Sequence, residues 1–348
     1  MDDEPISFRP VRFAEIDGWR ADDHAAALRV LLKSCRKSLS PDVPCAAAIE
    51  FGDGVAREAA RDFFEAHYTP HMIDGGAEHG FVTGYYEPEV RASRTRGGKF
   101  QVPVYGRPDD LITLTPDTDT ARFNDRITGL WQTPEGRVPY YTREEIGAGA
   151  LSGRGLELLY LDDEVELFFM QVQGSGRVRL ADGSSLRLGF AGKNGHPYTS
   201  IGKLLVERGE GSPETMTMAG VKAWLRADPL RGRALMAENR SYVFFRELPE
   251  GEGADGPLGA QGVALTPGRS LAVDAAYYAL GTPVFVTAPE LATAEGTPFR
   301  RLMIAQDVGS AIRGPERGDI FWGSGEAAGA IAGSTRHAAR LVLLLSNR

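Results

Sequence analysis

RLMIAQDVGSAIRGPERGDIFWGSGEAAG, residues 301–329, places two carboxylates at the edges of short strands. The apolar run Leu302 to Ala305 delivers Asp307 into a glycine-rich turn, and a second run, Ile320 to Trp322, follows Asp319 and stops at Gly323 and Gly325. A carboxyl group beside aromatic rings resists ionising, so the pKa of Asp319 is expected to rise toward the range of a general acid. Paired carboxylates of this kind carry out glycosidic bond cleavage. The competing reading is that Asp307 and Asp319 are turn residues satisfying local backbone donors, as most Asp-Gly and Gly-Asp pairs are.

Outward from this stretch, the 42 Gly and 21 Pro among 348 residues are spread between short apolar runs, which favours many strands joined by tight turns. The length suits two domains, each with its own core. A net charge of -8 excludes the basic footprint of nucleic-acid binding. No run approaches the roughly 18 to 20 apolar residues of a membrane span. MDDEPISFRP has neither a basic n-region nor an apolar h-region, so the chain reads as cytoplasmic or as one from which a leader has been removed. Cys35 and Cys45 cannot form a zinc site by themselves; a disulfide and two separate thiols both remain open.

AALRVLLKSCRKSL, with Leu28, Leu31 and Leu32 at helical spacing, and VAREAARDFFEAHY after Gly54 predict two packing helices near the N-terminus. His67 and His71 have the i, i+4 spacing of a metal pair, but Pro70 interrupts the helix and no Glu follows His67, so no metal is expected. GFVTGYYEPEVRAS, residues 80–93, alternates like a strand and offers Tyr85 and Tyr86 to opposite faces, one to pack and one to stack on a ligand. From Gln101 to about Arg240 the runs VPVYG, LELLYL, VELFFMQVQG, GRVRL and SLRLGFAG read as a β meander. Thr142 and Glu145 form a capping-box pattern, and SIGKLLVERG, ETMTMAGVKAWLRAD and PLRGRALMAEN predict three helices. SYVFFREL, LAVD, PVFVTA, RLMIAQD and RLVLLLS then return as strands. The middle block, 104–240, reads as an insertion into a domain made of 1–103 and 241–348.

The Gly-x-Gly patterns at Gly174 and Gly323 do not extend to a dinucleotide fingerprint, and neither a Walker A sequence nor a Gly-x-Ser-x-Gly elbow is present. Carboxylate chemistry remains, with Tyr85, Tyr86, Gln171, Gln173, Gly174, Ser175 and Arg177 as the polar and aromatic candidates for binding a substrate.

Five ordered blocks, TGYYEPEV, FFMQVQGSGRVRLADG, ENRSYVFFREL, ALTPGRSLAVDAAYYALGTPVFV and MIAQDVGSAIRGPERGDIFWGSGEAAGAIAG, resemble the membrane-bound lytic murein transglycosylase A family over roughly residues 80–347. The resemblance implies a mainly β protein in which a double-psi β-barrel is interrupted by an inserted second β-barrel-like domain, with a few peripheral helices and a glycan groove between them. It implies cleavage of the β-1,4 bond between N-acetylmuramic acid and N-acetylglucosamine in peptidoglycan, leaving a 1,6-anhydro end, without a cofactor. Motif to motif, the catalytic acid/base falls on Asp319 and an assisting aspartate on Asp307. A monomer in the periplasm is implied, with a lipid anchor to the outer membrane in the native precursor left open. Two rivals stand beside this reading: an inverting glycoside hydrolase using Asp307 and Asp319, and a non-catalytic wall-binding module.

Overall fold

The structure is a computed structural model and describes residues 7–37, 44–52, 54–74, 80–114, 127–249, 256–293 and 296–347. Residues 1–6, on which the leader reading draws, lie outside the described residues. The chain forms two compact units, Met1–Tyr86 with Gly253–Arg348, and Glu87–Glu252. These edges lie beyond the positions 104 and 240 at which the texture of the sequence changes. Strand pairing is the reason. Glu89–Ser93 pairs in parallel with Gly176–Leu180, and Val243–Glu247 pairs antiparallel with Ser185–Lys193, so the backbone bonds of both flanking segments are made within the second unit.

In the first unit six of the described strands close on themselves in the spatial order Gly80–Glu87, Arg336–Ser346, Pro283–Ala292, Pro298–Val308, Ser270–Val273 and Arg317–Ser324, the last pairing back onto the first. Closure leaves the barrel wall without an unpaired edge. Tyr68–Asp74 and Ser7–Pro10 extend the wall from Arg336–Ser346. The strand sequences explain the wall. Met303, Ala305, Val284, Val286, Leu341 and Leu343 point into one apolar cluster, while Leu302, Ile304, Phe285, Val342 and Leu344 alternate into another. That second cluster is completed by Leu28, Leu31, Phe63 and Phe64 of helices His24–Lys37 and Arg57–His67. Both faces are covered, so these strands read as continuous apolar runs, and each buried Leu, Ile or Phe contributes roughly 1.5–3 kcal/mol.

Two links fasten the helical layer. Cys35 and Cys45 are disulfide-bonded, joining His24–Lys37 to Cys45–Phe51. Buried Asp22 receives two 2.8 Å bonds from the Arg269 guanidinium and a 2.7 Å bond from the Leu302 N–H.

The second unit holds a six-stranded sheet in the order Val243–Glu247, Ser185–Lys193, Gly176–Leu180, Glu89–Ser93, Glu157–Leu161 and Val102–Tyr105. A bridge between Gly106 and Phe245 links its two end strands, so this sheet is a second, nearly closed barrel. The three helices expected after residue 200 are present as Ile201–Glu207, Met218–Ala227 and Pro229–Glu238. Thr142 and Glu145 form the capping box of Arg143–Gly147.

One element differs. VELFFMQVQG is not a strand but lies in helix Glu164–Gln173, capped by the Asp163 side chain on the Val165 N–H and ended by Gly174 at φ 80°. Leu167 and Met170 pack on the sheet while Val165, Phe168 and Phe169 pack on the neighbouring helices. Burial on both sides removes the polar stripe from which helical periodicity is read.

Candidate active site

The short strand Ser270–Val273 decides the geometry. It lies between Pro298–Val308 and Arg317–Ser324, parallel to the first and antiparallel to the second. Ala272 is the cross-strand partner of Asp307 on one side and of Asp319 on the other. An irregularity in register between Leu271 and Ala272 sets Asp307, rather than Gln306, opposite this alanine. Neighbouring strands lie about 4.8 Å apart, so the two aspartate backbones stand roughly 10 Å apart with a methyl group between them. Leu271 and Ile320 belong to the interior cluster of the barrel. Ala272 and Asp319, one residue further along or back, therefore project from the opposite face of the wall.

Gly80–Glu87, the strand paired with Arg317–Ser324, supplies the partners. Val82 enters the interior cluster, so Thr83 and Tyr85 share the outer face. Thr83 Oγ1 donates to Asp319 Oδ1 at 2.5 Å, and Arg317 Nη2 donates to Thr83 Oγ1 at 2.7 Å. The Tyr85 hydroxyl donates to Asp307 Oδ2 at 2.9 Å, and its ring lies 5.3 Å from that of Phe321. Gly84 between them is required by close approach, because a Cβ there would stand 2.6 Å from Nε1 of Trp322. Asp307 Oδ1 accepts from the backbone N–H groups of Ala260 and Val308, each at 2.9 Å.

The two carboxyls are electrostatically unequal. Burial pushes Asp319 up to about 6; the Thr83 hydroxyl and the Arg317 charge oppose the rise and the Asp307 charge adds to it. Burial also raises Asp307, against the pull of its bonds from Ala260, Val308 and Tyr85. Burial, the Asp307 charge and the bond to Asp307 hold the Tyr85 hydroxyl well above its ordinary range, so Tyr85 is neutral.

Of the candidates named from the sequence, Asp307, Asp319 and Tyr85 are brought together. Tyr86 is 5% exposed and lies under helix Gly325–Ser334, where a Cβ on Gly329 would come within 2.8 Å of its ring. Gln171 is 3% exposed; its amide accepts from Arg143 Nη1 and donates to the Val243 carbonyl at 3.1 Å. Gln173, Gly174, Ser175 and Arg177 lie in the second unit, where helix Glu164–Gln173 turns into strand Gly176–Leu180. Arg177 is exposed and the other three are partly so. His67 ends its helix, and His71 lies in strand Tyr68–Asp74 with Nδ1 2.9 Å from the Thr69 carbonyl. Among the described residues, no group of three or more His, Cys, Asp or Glu side chains could hold a metal ion. Thr83, Arg317 and Ala260 are the site residues that the sequence did not single out. The i, i+2 step from Tyr85 carries a signal for Thr83. A backbone donor such as Ala260 has none.

A closed barrel bearing two unequal carboxyls on its wall, interrupted by a second barrel, defines the class. Residues 81–246 match the MltA specific insert domain and residues 269–345 match the 3D domain. The membrane-bound lytic murein transglycosylase A of Escherichia coli K12 is 36% identical over 281 residues, 78% of this chain and 68% of the relative. That of Vibrio cholerae is 35% identical over 278 residues, 78% of this chain and 67% of the relative. Among solved structures, a membrane-bound lytic murein transglycosylase from Agrobacterium tumefaciens superposes with a TM-score of 0.88 at 36% identity, covering 98% of both chains. MltA from Neisseria gonorrhoeae gives 0.81 at 35% identity, with 98% and 93% covered. Escherichia coli MltA with bound chitohexaose gives 0.71 at 29% identity, with 100% and 94% covered. The chain belongs to the membrane-bound lytic murein transglycosylase A family.

Proposed function

We propose that this chain cleaves the β-1,4 bond between N-acetylmuramic acid and N-acetylglucosamine in peptidoglycan, with Asp319 as its single acid/base. The observation that carries the reading is the difference between the two carboxyls. Asp319 accepts at Oδ1 alone among the described residues, and its pKa is pushed up to about 6, so a proton can reside on Oδ2. Asp307 has both oxygens occupied by three donors, the pattern of a fixed anion rather than of a base that must turn a lone pair toward water.

Protonated Asp319 gives its proton to the glycosidic oxygen as the bond to C1 breaks and positive charge develops at C1. The resulting carboxylate takes the proton of the C6 hydroxyl as that oxygen bonds to C1, which closes the 1,6-anhydro ring and restores the acid. The nucleophile is tethered to the sugar it attacks, so no carboxylate is needed to activate water. Asp307 stabilises the developing cation and keeps Asp319 protonated to higher pH.

The glycan complex of the Escherichia coli relative supports binding of an extended amino-sugar chain. We assign glycan binding to Tyr85 and to the Gln173–Arg177 turn. The relatives are named as membrane-bound, and a periplasmic, membrane-associated setting is part of the same proposal. Among the described residues no helix is long and apolar enough to cross a membrane.

Mass spectrometry of the soluble products from purified peptidoglycan tests the reading, with Asp319→Ala run beside the wild type. Anhydromuropeptides from the wild type and none from the variant are expected. Products one water heavier would move the chain to the hydrolases, and binding without products would make it a wall-binding module.

A further inference from the structure

Arg317 and Asp319 are two residues apart on one strand and leave the same face, where Thr83 of the neighbouring strand meets both. A threonine hydroxyl has one proton and two lone pairs, whereas a guanidinium can only donate. The 2.7 Å bond from Arg317 therefore occupies a lone pair of Thr83. A cationic donor on that oxygen also makes the hydroxyl a stronger donor and a poorer acceptor. Its proton is thereby committed to Oδ1 of Asp319. Arg317 is itself held in place, since Nη1 donates to the carbonyls of Gly318 and Phe81 and the guanidinium lies 5.4 Å from the centre of the Phe81 ring.

We propose that Arg317 is a positioning residue which, through the Thr83 hydroxyl, reserves Oδ2 of Asp319 as the atom that gives its proton to the sugar and recovers it. This rests on the reading of Asp319 as the acid/base. Without Arg317 the Thr83 hydroxyl can turn and accept from a protonated Oδ1, which parks the acid's proton away from the glycosidic oxygen.

The charged and titratable groups facing Asp319 are Arg317 on its own strand, Asp307 across Ser270–Val273, and Tyr85 beside Thr83. Thr83 and Arg317 favour the carboxylate, Asp307 opposes it, and Tyr85 is neutral. Loss of Arg317 therefore moves the ionisation of Asp319 upward, and with it the alkaline limb of the rate profile.

The test measures kcat and KM across pH on soluble peptidoglycan fragments, using the full chain and its Arg317→Gln, Arg317→Lys, Thr83→Ser, Thr83→Val, Thr83→Val/Arg317→Gln and Asp319→Asn variants. Arg317→Gln is expected to lower kcat by about tenfold or more, with KM within about twofold, because the acid is misdirected rather than removed. Its alkaline limb shifts to higher pH. Arg317→Lys, which keeps a cationic donor, recovers most of both effects, and Thr83→Ser stays near wild type. Thr83→Val falls as Arg317→Gln does, and the double variant falls no further than Thr83→Val, since both changes cut one line of contact.

A wild-type kcat and pH limb in Arg317→Gln would overturn the proposal, as would losses that multiply in the double variant. Should Arg317→Gln not fold, Arg317→Lys and the contrast of Thr83→Ser with Thr83→Val decide, and full activity in Thr83→Val overturns the proposal. Asp319→Asn separates the two claims. If it turns over like wild type, the acid/base reading itself fails; if it is inactive while Arg317→Gln is unchanged, only the positioning role fails.

Discussion

Asp307 and Asp319 stand opposite the same alanine, on strands that run in opposite directions on either side of it. The pair is fixed by backbone register rather than by any contact between the carboxyls. Substitution of either side chain therefore leaves the frame of the other in place.

Asp307→Asn removes a negative charge that raises the pKa of Asp319. The proposed mechanism needs Asp319 protonated, so rate is expected to be lost as pH rises through its ionisation near 6. With Asp307 neutral that ionisation falls, and the alkaline limb of kcat/KM is expected to move to lower pH. The kcat is expected to drop by roughly ten- to a hundredfold through loss of cation stabilisation. A pH–rate profile on soluble glycan checks both; a limb that stays in place refutes the electrostatic coupling.

Tyr85→Phe keeps the ring on Phe321 and deletes the donor to Asp307 Oδ2. A hydrogen bond to a charged group is worth about 1.5–3 kcal/mol, so a fall in kcat of roughly ten- to a hundredfold is expected. Steady-state kinetics on the same fragments gives the number.

Asp319→Asn is expected to be inactive and more stable. The folded-state pKa near 6 lies above the carboxylate's ordinary value, so the folded state prefers the proton. The stability tied to that proton is complete below the unfolded pKa and is lost as pH rises through 6. The neutral amide escapes the loss, a gain of roughly 1–3 kcal/mol at pH 7.5 after allowance for partial exposure. Thermal melts at pH 7.5 and pH 4 should show the variant ahead at the first and level at the second.

Gly84→Ala drives a methyl group to within 2.6 Å of the Trp322 indole nitrogen and 2.9 Å of the Ala332 Cα. The strand must shift, and it carries both Thr83 and Tyr85. A stability loss of about 1–3 kcal/mol is expected. Activity should fall further than folding alone explains, which a comparison of melting temperature with the kcat of the folded fraction would show.

The sequence reveals the site where chemistry shows in side-chain type. Asp307 and Asp319 stand out because one follows and the other precedes a short apolar run beside glycine, and Tyr85 because it sits in an alternating strand. Thr83 was hidden by the aromatic pair beside it, and nothing in the residues around Arg317 marks it as a donor to a neighbouring strand. Tyr86 and Gln171 have residue types suited to sugars, but packing under Gly329 and the Arg143 bond turn them inward. In the fold, strands with two covered faces were legible as apolar runs. For the same reason Val165–Met170, a helix covered on both sides, was misread as a strand. The unit edges depend on which partner each flanking strand chooses, and pairing over long separations leaves no local mark.

Closure of the barrel also has a consequence for synthesis. Thr83 and Tyr85 emerge from the ribosome before the Glu87–Glu252 unit, and Asp307 and Asp319 after it. The wall that brings them together is sealed by Arg336–Ser346, the last described strand. A nascent chain thus carries only half of the candidate site for most of translation. The ring of strands can close only once that final strand docks.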